Sequence, residues 1–188
     1  GNPQHVERVT VDLDEAATEK DGFPHYMLKE IHQQPGVVEH LLLSYVDRHT
    51  GGLTFPDLSL STERLKSLRR IVIIACGTAW HAGLVGKYLI EDFAHIPVEV
   101  DLASEFRYGH RILDGDTLVV PVSQSGETAD TLEALRLAKG QGAPVLGIVN
   151  AVGSSVAREA DGVLYTHAGP EIGVASTKAY TSQLVALA

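Results

Sequence analysis

A cluster of hydroxyl and amide side chains follows an apolar run and precedes a helical pattern within LVVPVSQSGETADTLEALRLAK, residues 118–139. Ser123, Ser125 and Thr128 supply hydroxyl donors and Gln124 supplies an amide donor, while Gly126 allows the backbone to approach a ligand closely. The N-terminus of a helix carries unpaired N–H groups and a positive dipole end, which stabilise an anion such as phosphate. The stretch is therefore a candidate phosphate site built from neutral donors.

The same stretch has a simpler interpretation, in which Ser125 caps the helix and Gly126 fits the turn. Such a cap stabilises a helix by about 1 kcal/mol and needs a single hydroxyl. Two serines that flank Gln124, followed by Thr128, are more than one cap requires, and this favours ligand binding.

A second junction of this kind follows the apolar run RIVIIA, where Cys76, Gly77 and Thr78 lead into a long helical pattern. Gly77 offers a backbone N–H group and Thr78 a hydroxyl beside the same crevice. The alternative is an ordinary strand-to-helix turn with Thr78 as the N-cap. Ala79 and Ala82 do not match the G-x-G-x-x-G fingerprint, so a dinucleotide site is disfavoured.

A third segment, GPEIGVASTKAYTSQL, follows the last apolar block of the chain. Its glycines and proline at 169–173 predict a loop, and Ser176 and Thr177 precede a helical pattern that carries Lys178. The alternative is a plain loop with a Ser/Thr cap and a solvated lysine. Its position after a strand makes the segment a candidate wall of the same pocket.

Apolar blocks of strand length alternate with helix-period stretches from Leu68 onward. Blocks that are apolar on both faces suit strands covered by helices on either side, and the alternation implies right-handed crossovers and a parallel sheet. The sequence therefore predicts an α/β fold, a three-layer α/β/α sandwich with a five-stranded parallel sheet. The predicted strands are 70–75, 98–103, 117–122, 144–150 and 162–166. Ligands bind such sheets at the carboxyl ends of the strands, where all three candidate segments lie.

Residues 1–50 are rich in His, Glu, Gln and Asp and poor in apolar runs, which predicts a connector ahead of a domain at 51–188. Within it, FPHYMLKEIHQQP predicts a short helix closed by Pro35, and VVEHLLLSYVD predicts a second helix. The final helical pattern, ASTKAYTSQLVALA, has no Gly, Pro or basic last turn after it. We therefore expect the domain to belong to a larger protein.

Composition disfavours several classes of protein. A formal net charge of −9 disfavours non-specific binding to nucleic acid or to an anionic membrane. Cys76 is the only cysteine, so a disulfide framework and a Cys-based zinc site are excluded, and the histidines are too dispersed to suggest a metal site. The longest apolar run, 71–76, is too short to span a bilayer, and the amino terminus lacks a signal pattern. We expect a cytoplasmic protein without metal or cofactor.

Other polar groups near these segments have ordinary explanations. Glu127 stands in the first turn of its helix, where the dipole favours a carboxylate, whereas beside a phosphate it would be repulsive. His81 lies at helical spacing from Leu84 and is expected to pack or cap rather than to transfer protons. Residues 105–110, EFRYGH, are expected to form a solvated loop, with contact to a partner as the alternative.

Three segments read together closely resemble the isomerase part of the glutamine:fructose-6-phosphate aminotransferase family, and in particular its first sugar-isomerase (SIS) domain. They are CGTAWHAGLVGKYLIE, PVSQSGETADTLEALRLAK and EIGVASTKAYTSQLVALA. The stretch HYMLKEIHQQP also resembles the family's connector between its glutaminase domain and its isomerase part. The resemblance covers nearly the whole chain from about Asp21 onward.

The resemblance implies a phosphosugar site, since members of the family make glucosamine 6-phosphate from fructose 6-phosphate and glutamine-derived ammonia. The residues implied to hold the phosphate are Gly77, Thr78, Ser123, Gln124, Ser125 and Thr128. Val174 and Ser176 are implied to line the sugar side of the pocket. Many members have Ser after the CGT motif, whereas this chain has Ala79, which removes one possible hydroxyl contact.

The resemblance also implies what this chain lacks. The family releases ammonia with an amino-terminal cysteine and assigns its proton transfers to a second SIS domain and a carboxyl-terminal tail, so we expect no catalytic residue here. The implied partners are a glutaminase domain, a second SIS domain and an identical subunit in a homodimer. Two alternatives stay open: a sugar-phosphate sensor that binds without catalysis, and a purely structural dimerisation module.

Overall fold

Five parallel strands form the centre of the protein in the computed structural model, which describes residues 19–188. They are β1 Arg70–Ala75, β2 Val98–Leu102, β3 Thr117–Ser123, β4 Leu146–Val149 and β5 Gly162–Tyr165. Their order across the sheet is β2-β1-β3-β4-β5. The predicted five-stranded parallel sheet is confirmed, and the largest difference is at β4, for which the sequence predicts 144–150.

Helices cover both faces of this sheet. Those of the described part are α1 Tyr26–Tyr45, α2 Thr62–Lys66, α3 Thr78–Ala94, α4 Ala103–Tyr108, α5 Ala129–Gly140, α6 Ser155–Glu159 and α7 Lys178–Leu187. Alternate residues of β1 point to opposite faces: Ile73 packs in one apolar cluster with Ala82 of α3, and Ile74 packs in another with Leu135 of α5. Helices α3 and α7 thus lie on one side of the sheet and α4, α5 and α6 on the other, which confirms the three layers.

Residues 26–45 form one helix of 20 residues, and the prediction of two short helices separated at Pro35 is wrong. Pro35 has no N–H group for the carbonyl oxygen of Ile31, four residues earlier. Gln34 Nε2 donates to that oxygen instead, at 3.1 Å, and α1 packs along α7.

Even α1 is not apolar enough to cross a membrane, and no helix within residues 19–188 meets both requirements of length and hydrophobicity.

The segment 103–108 is the helix α4, although the sequence favours a solvated loop for 105–110. Phe106 is fully buried in the cluster on the α5 side of the sheet, and Arg107 pairs with Asp130 of α5 at 3.2 Å. Burial of one aromatic ring outweighs the polar character of its neighbours, because a buried Phe contributes about 1.5–3 kcal/mol.

The strand order reverses direction between β1 and β3. The chain runs from β1 through α3 to β2 at the sheet edge, and then returns through α4 to β3 on the other side of β1. Because the crossovers leave β1 and β3 in opposite directions, a crevice opens between the loops at their carboxyl ends. The register pairs Ala75 with Val122, so the residues that follow both strands emerge side by side.

Candidate functional site

A cavity of about 250 Å³ lies at the carboxyl ends of β1 and β3. It brings together the three segments that the sequence singles out, from the β1–α3 turn, the β3–α5 turn and the loop before α7. The lining residues are Cys76, Thr78, Ala79, Val122, Ser123, Gln124, Ser125, Thr128, Thr131, Glu171, Gly173, Val174, Ser176 and Gln183. Gly77 does not belong to this set. The other seven residues that the resemblance implies all line the cavity, while their binding roles stay a prediction.

The 123–128 turn is organised by its own serine hydroxyls. Ser123 Oγ accepts a hydrogen bond from Gly126 N at 3.0 Å and lies 3.4 Å from Thr128 Oγ1. Ser125 Oγ accepts a hydrogen bond from Glu127 N at 3.2 Å, so the proton of its hydroxyl is not used in that bond. The N-cap of α5 is Thr128, and the simpler interpretation with Ser125 as the helix cap is therefore wrong.

The β4–α6 loop supports the 123–128 turn from behind. Gln124 O accepts hydrogen bonds from Asn150 N at 3.2 Å and Ala151 N at 3.3 Å, and Gly126 O accepts one from Val156 N at 3.1 Å. Gly126 has φ +64°, and a Cβ at this position would lie 2.2 Å from Ser154 Oγ. The glycine is therefore required by the close approach of Ser154; Gly126 is not among the residues that line the cavity, and its approach to a ligand stays a prediction.

Glu127 points away from the cavity. Its Oε1 accepts a hydrogen bond at 2.7 Å from the backbone N–H of Ser155, the first residue of α6. That bond, together with one from the Ser155 side chain, lowers the pKa of the Glu127 carboxyl. The predicted position in the first turn of its own helix is wrong, because Glu127 precedes the α5 N-cap Thr128. The carboxylate bonds instead to the N-terminus of α6 and lies outside the cavity lining.

Two helix N-termini, those of α3 and α5, border the cavity. Gly77 is the N-cap of α3, with φ 61° and ψ −134°, and Thr78 is the first helical residue rather than the cap. Neither the α3 cap nor the α5 cap makes a side-chain capping bond, unlike Ser61 at α2. His81 does not cap α3, since its Nδ1 lies 3.1 Å from the carbonyl oxygen of Gly77; its ring packs edge-on against that of Trp80. The first N–H groups of both helices thus have no side-chain cap to satisfy them.

Glu171 organises the loop that forms the third wall. Its Oε1 accepts hydrogen bonds from Thr177 N at 2.9 Å, Thr177 Oγ1 at 3.1 Å and Ala179 N at 3.2 Å, and its Oε2 accepts one from Ser176 Oγ at 3.0 Å. The carboxylate therefore caps α7 and fixes Ser176, while Val174 is fully exposed on the loop. Glu171 is not among the predicted site residues, although a carboxylate placed shortly before a Ser-Thr pair is a possible helix-capping signal.

Lys178 is buried, and the expectation of a solvated lysine is wrong. Its Nζ donates to Gln33 Oε1 of α1 at 2.9 Å. Burial lowers the pKa of Lys178, and the carboxylates of Glu30 and Glu171 oppose that shift by attraction. Lys178 is buried because of tertiary packing, since α1 lies over the start of α7 and covers the side chain.

Two polar atoms of the cavity wall have no hydrogen-bond partner among residues 19–188: Thr131 Oγ1 and Gln183 Oε1. Both side chains are buried, and an unsatisfied buried polar group costs about 1–3 kcal/mol. Both residues line the cavity, although the two atoms themselves are almost fully covered. Thr131 is one helical turn beyond Thr128 and could have been found from that spacing, whereas nothing in the sequence marks Gln183. The described residues hold no group of three or more His, Cys, Asp or Glu side chains that could bind a metal ion.

The family model of the SIS domain matches residues 64–188. The match includes all five strands and every residue that lines the cavity. The chain therefore belongs to the SIS domain family.

Within that family the chain is similar to aminotransferases. It is 56% identical over 187 residues to the glutamine–fructose-6-phosphate aminotransferase (isomerizing) of Symbiobacterium thermophilum, covering 100% of this chain and 31% of that protein. The same enzyme of Clostridium tetani is 55% identical over 184 residues, covering 98% of this chain and 30% of that protein. These matches confirm the predicted resemblance to the aminotransferase family, and the chain spans about a third of the length of these relatives.

Solved structures agree with this assignment. The C-terminal domain of glucosamine-fructose-6-phosphate aminotransferase from Francisella tularensis matches with a TM-score of 0.83 and 45% identity, over 90% of this chain and 48% of that one. Glucosamine-6-phosphate deaminase from Thermotoga maritima matches with a TM-score of 0.66 and 20% identity, over 86% of this chain and 48% of that one. The second likeness concerns the fold alone.

Proposed function

We propose that the cavity between β1 and β3 binds the phosphate and sugar of fructose 6-phosphate or glucosamine 6-phosphate. The chain is, on this proposal, the first SIS domain of a glutamine–fructose-6-phosphate aminotransferase. The observation that carries the proposal is the convergence of neutral hydrogen-bond donors from two strand ends on one cavity. Three features support it: the hydrogen-bond donors at the phosphate end, the polar groups at the sugar end, and the hydrogen bonds that already occupy the one lining carboxylate.

The phosphate end consists of Ser123, Gln124, Ser125, Thr128 and Thr78. No lysine or arginine lines the cavity within the described residues, although the ligand is a dianion. Hydroxyl and amide donors next to the N-termini of α3 and α5 can stabilise this charge without a cation. Gly77 contributes through the backbone conformation that begins α3, since it does not line the cavity.

The sugar end consists of Val174 and Ser176, and the cavity lining also includes the buried polar residues Thr131 and Gln183. A sugar hydroxyl can both donate and accept a hydrogen bond, so it suits a lining composed largely of hydroxyl and amide side chains. The cavity therefore suits a polyhydroxylated molecule.

Glu171 is the one carboxylate among the lining residues of the described chain, and four donors already occupy its oxygens. A general base must accept a proton from the substrate, and this carboxylate instead holds the loop and the start of α7. We therefore assign no catalytic residue to this chain. Proton transfer and glutamine hydrolysis would belong to a second SIS domain and a glutaminase domain of a cytoplasmic homodimer, as the family resemblance implies.

Isothermal titration of the 188-residue chain with fructose 6-phosphate and with fructose tests the proposal. We expect binding of the phosphate ester and none of fructose. Ser125→Ala should lose about 1.5–3 kcal/mol of binding, the range for a hydrogen bond to a charged group, while exposed Ser59→Ala should lose nothing. Equal heats for both sugars, or no heat for either, would refute the phosphate site.

A further inference from the structure

Glu30 of α1 forms hydrogen bonds with the loop that walls the cavity. Its Oε1 accepts from Ile172 N at 2.6 Å and from Gly173 N at 3.1 Å, and its Oε2 lies 3.1 Å from the same Gly173 N. Two successive N–H groups therefore converge on one carboxylate. Such an arrangement fixes the orientation of both peptide groups, because each must point its N–H at the same anion.

The Glu30 carboxylate is only 2% exposed, so it has lost most of its contact with water. A buried charge is costly unless it is hydrogen-bonded and paired. Here the two loop N–H groups supply the bonds, and Lys178, which is buried beside it, supplies an opposite charge. A helix that only needed to pack against the domain could do so with an apolar side chain at this position.

Neighbouring residues on the same face of α1 contact the start of α7. Gln33 Oε1 accepts a hydrogen bond from Lys178 Nζ at 2.9 Å, and Gln34 Oε1 accepts one from Thr181 Oγ1. With Glu30, these residues occupy positions i, i+3 and i+4, which lie on one side of a helix. The polar side of α1 thus contacts both the cavity loop and the helix that follows it.

Gly173 allows α1 to approach the loop closely. A Cβ on this residue would lie 2.5 Å from Glu30 Oε2 and 3.4 Å from Met27 Cα. Gly173 itself lines the cavity, and it precedes Val174, which lines the sugar end. A displacement of Glu30 would therefore be transmitted to the sugar wall through a single residue.

We propose that Glu30 is a positioning residue for the sugar end of the cavity, through which helix α1 and ligand binding are energetically coupled. The inference rests on the proposed function and deepens it. Glu30 does not touch the ligand: it holds the Ile172 and Gly173 peptides, which place Val174, while Glu171 holds Ser176. The 123–128 turn has separate supports in the β4–α6 loop, so the phosphate end does not depend on Glu30.

The test measures affinity for two probes, fructose 6-phosphate and inorganic phosphate, in wild type, Glu30→Gln and Glu39→Gln. Glu39 lies on the same helix but is exposed, so E39Q is a matched control. We expect E30Q to lower the affinity for fructose 6-phosphate by about tenfold, the size of one charge-assisted hydrogen bond, without changing the affinity for phosphate. Amide hydrogen exchange at 171–174 should also become faster in E30Q.

Other outcomes overturn the inference and separate it from the proposed function. If E30Q and wild type bind both probes equally, Glu30 does not position the wall, while the phosphosugar site stands. If E30Q loses affinity for both probes in equal measure, Glu30 supports the fold only. If wild type binds neither probe, the proposed function fails as well. Should E30Q not fold, Glu30→Asp, which keeps the charge on a shorter side chain, must show the same selective loss.

Discussion

Replacement of Gly126 by alanine is the sharpest test of how the 123–128 turn is built. Gly126 has φ +64°, and the ideal Cβ would lie 2.2 Å from Ser154 Oγ and 2.6 Å from Ser154 Cβ. The hydroxyl can rotate away, but the Cβ of Ser154 moves only with its backbone. Backbone strain and steric overlap therefore both act against the substitution.

The two contributions can be estimated separately. A left-handed conformation costs a non-glycine residue about 1–2 kcal/mol. Overpacking at a buried contact adds about 1–3 kcal/mol. Gly142 provides the matched control, since it has φ +83° and no atom within 4 Å of its ideal Cβ. Gly142→Ala should show the strain alone, and Gly126→Ala should lose about 1–3 kcal/mol more of the free energy of unfolding.

Urea denaturation of wild type, G126A, G142A and the double variant G126A/S154G measures these terms. Ser154→Gly removes both atoms that overlap the new Cβ, and Ser154 Oγ has no hydrogen-bond partner within residues 19–188 to lose. The double variant should therefore return to the level of G142A, and G126A should also bind fructose 6-phosphate more weakly. If G126A were no less stable than G142A, Ser154 would not restrict this position and the explanation of the glycine would be wrong.

Two further predictions concern the cavity and the pH dependence of stability. Ala79→Ser adds a hydroxyl to the cavity lining and should strengthen fructose 6-phosphate binding by about 0.5–1.5 kcal/mol in isothermal titration, whereas unchanged or weaker binding would exclude a phosphate contact at this position. Burial, and then the repulsion of His40, lower the pKa of His167 below its usual 6.5 against the opposing attraction of Asp57. The unfolded chain therefore binds the proton first as the pH falls below 6.5, and stability should rise with pH from the lowered folded-state pKa up to 6.5. Asparagine tolerates the φ of +49° at position 167, so His167→Asn should flatten the rise of stability with pH in a series of urea denaturations. An identical pH dependence in both proteins would contradict the lowered pKa of His167.

Much of the fold follows from patterns that act locally. The block at 70–75 is apolar at nearly every position because β1 is covered by helices on both faces, and such blocks mark buried parallel strands in sequence. The positions of the candidate segments followed from a general property of parallel sheets, that strand carboxyl ends meet at one edge. Five of the implied site residues line one cavity for this reason, whereas Val174 and Ser176 reach it on the long loop that follows β5.

Most of the errors share one physical cause, which is contact between segments distant in sequence. Pro35 signals a helix end, yet Gln34 satisfies the carbonyl that proline leaves free, and α1, which packs along α7, continues through that position. Lys178 and Glu30 are charged residues that sequence patterns assign to the surface, and they are buried because α1 packs over the loop before α7. Local propensity contains no information about these long-range contacts.

The two ends of the cavity are supported by different kinds of contact, and this difference bears on how a ligand would bind. Backbone hydrogen bonds join the 123–128 turn to the β4–α6 loop, with Gln124 O and Gly126 O as acceptors. The loop before α7 is held instead by two side-chain carboxylates, those of Glu171 and Glu30, while Val174 is fully exposed. Hydrogen-bond donors bind a phosphate effectively when they are already oriented toward it, because no conformational entropy is then lost in orienting them on binding. A rigid phosphate end and a sugar wall held by side chains would let the cavity bind the anion first and adjust the wall to the sugar afterwards.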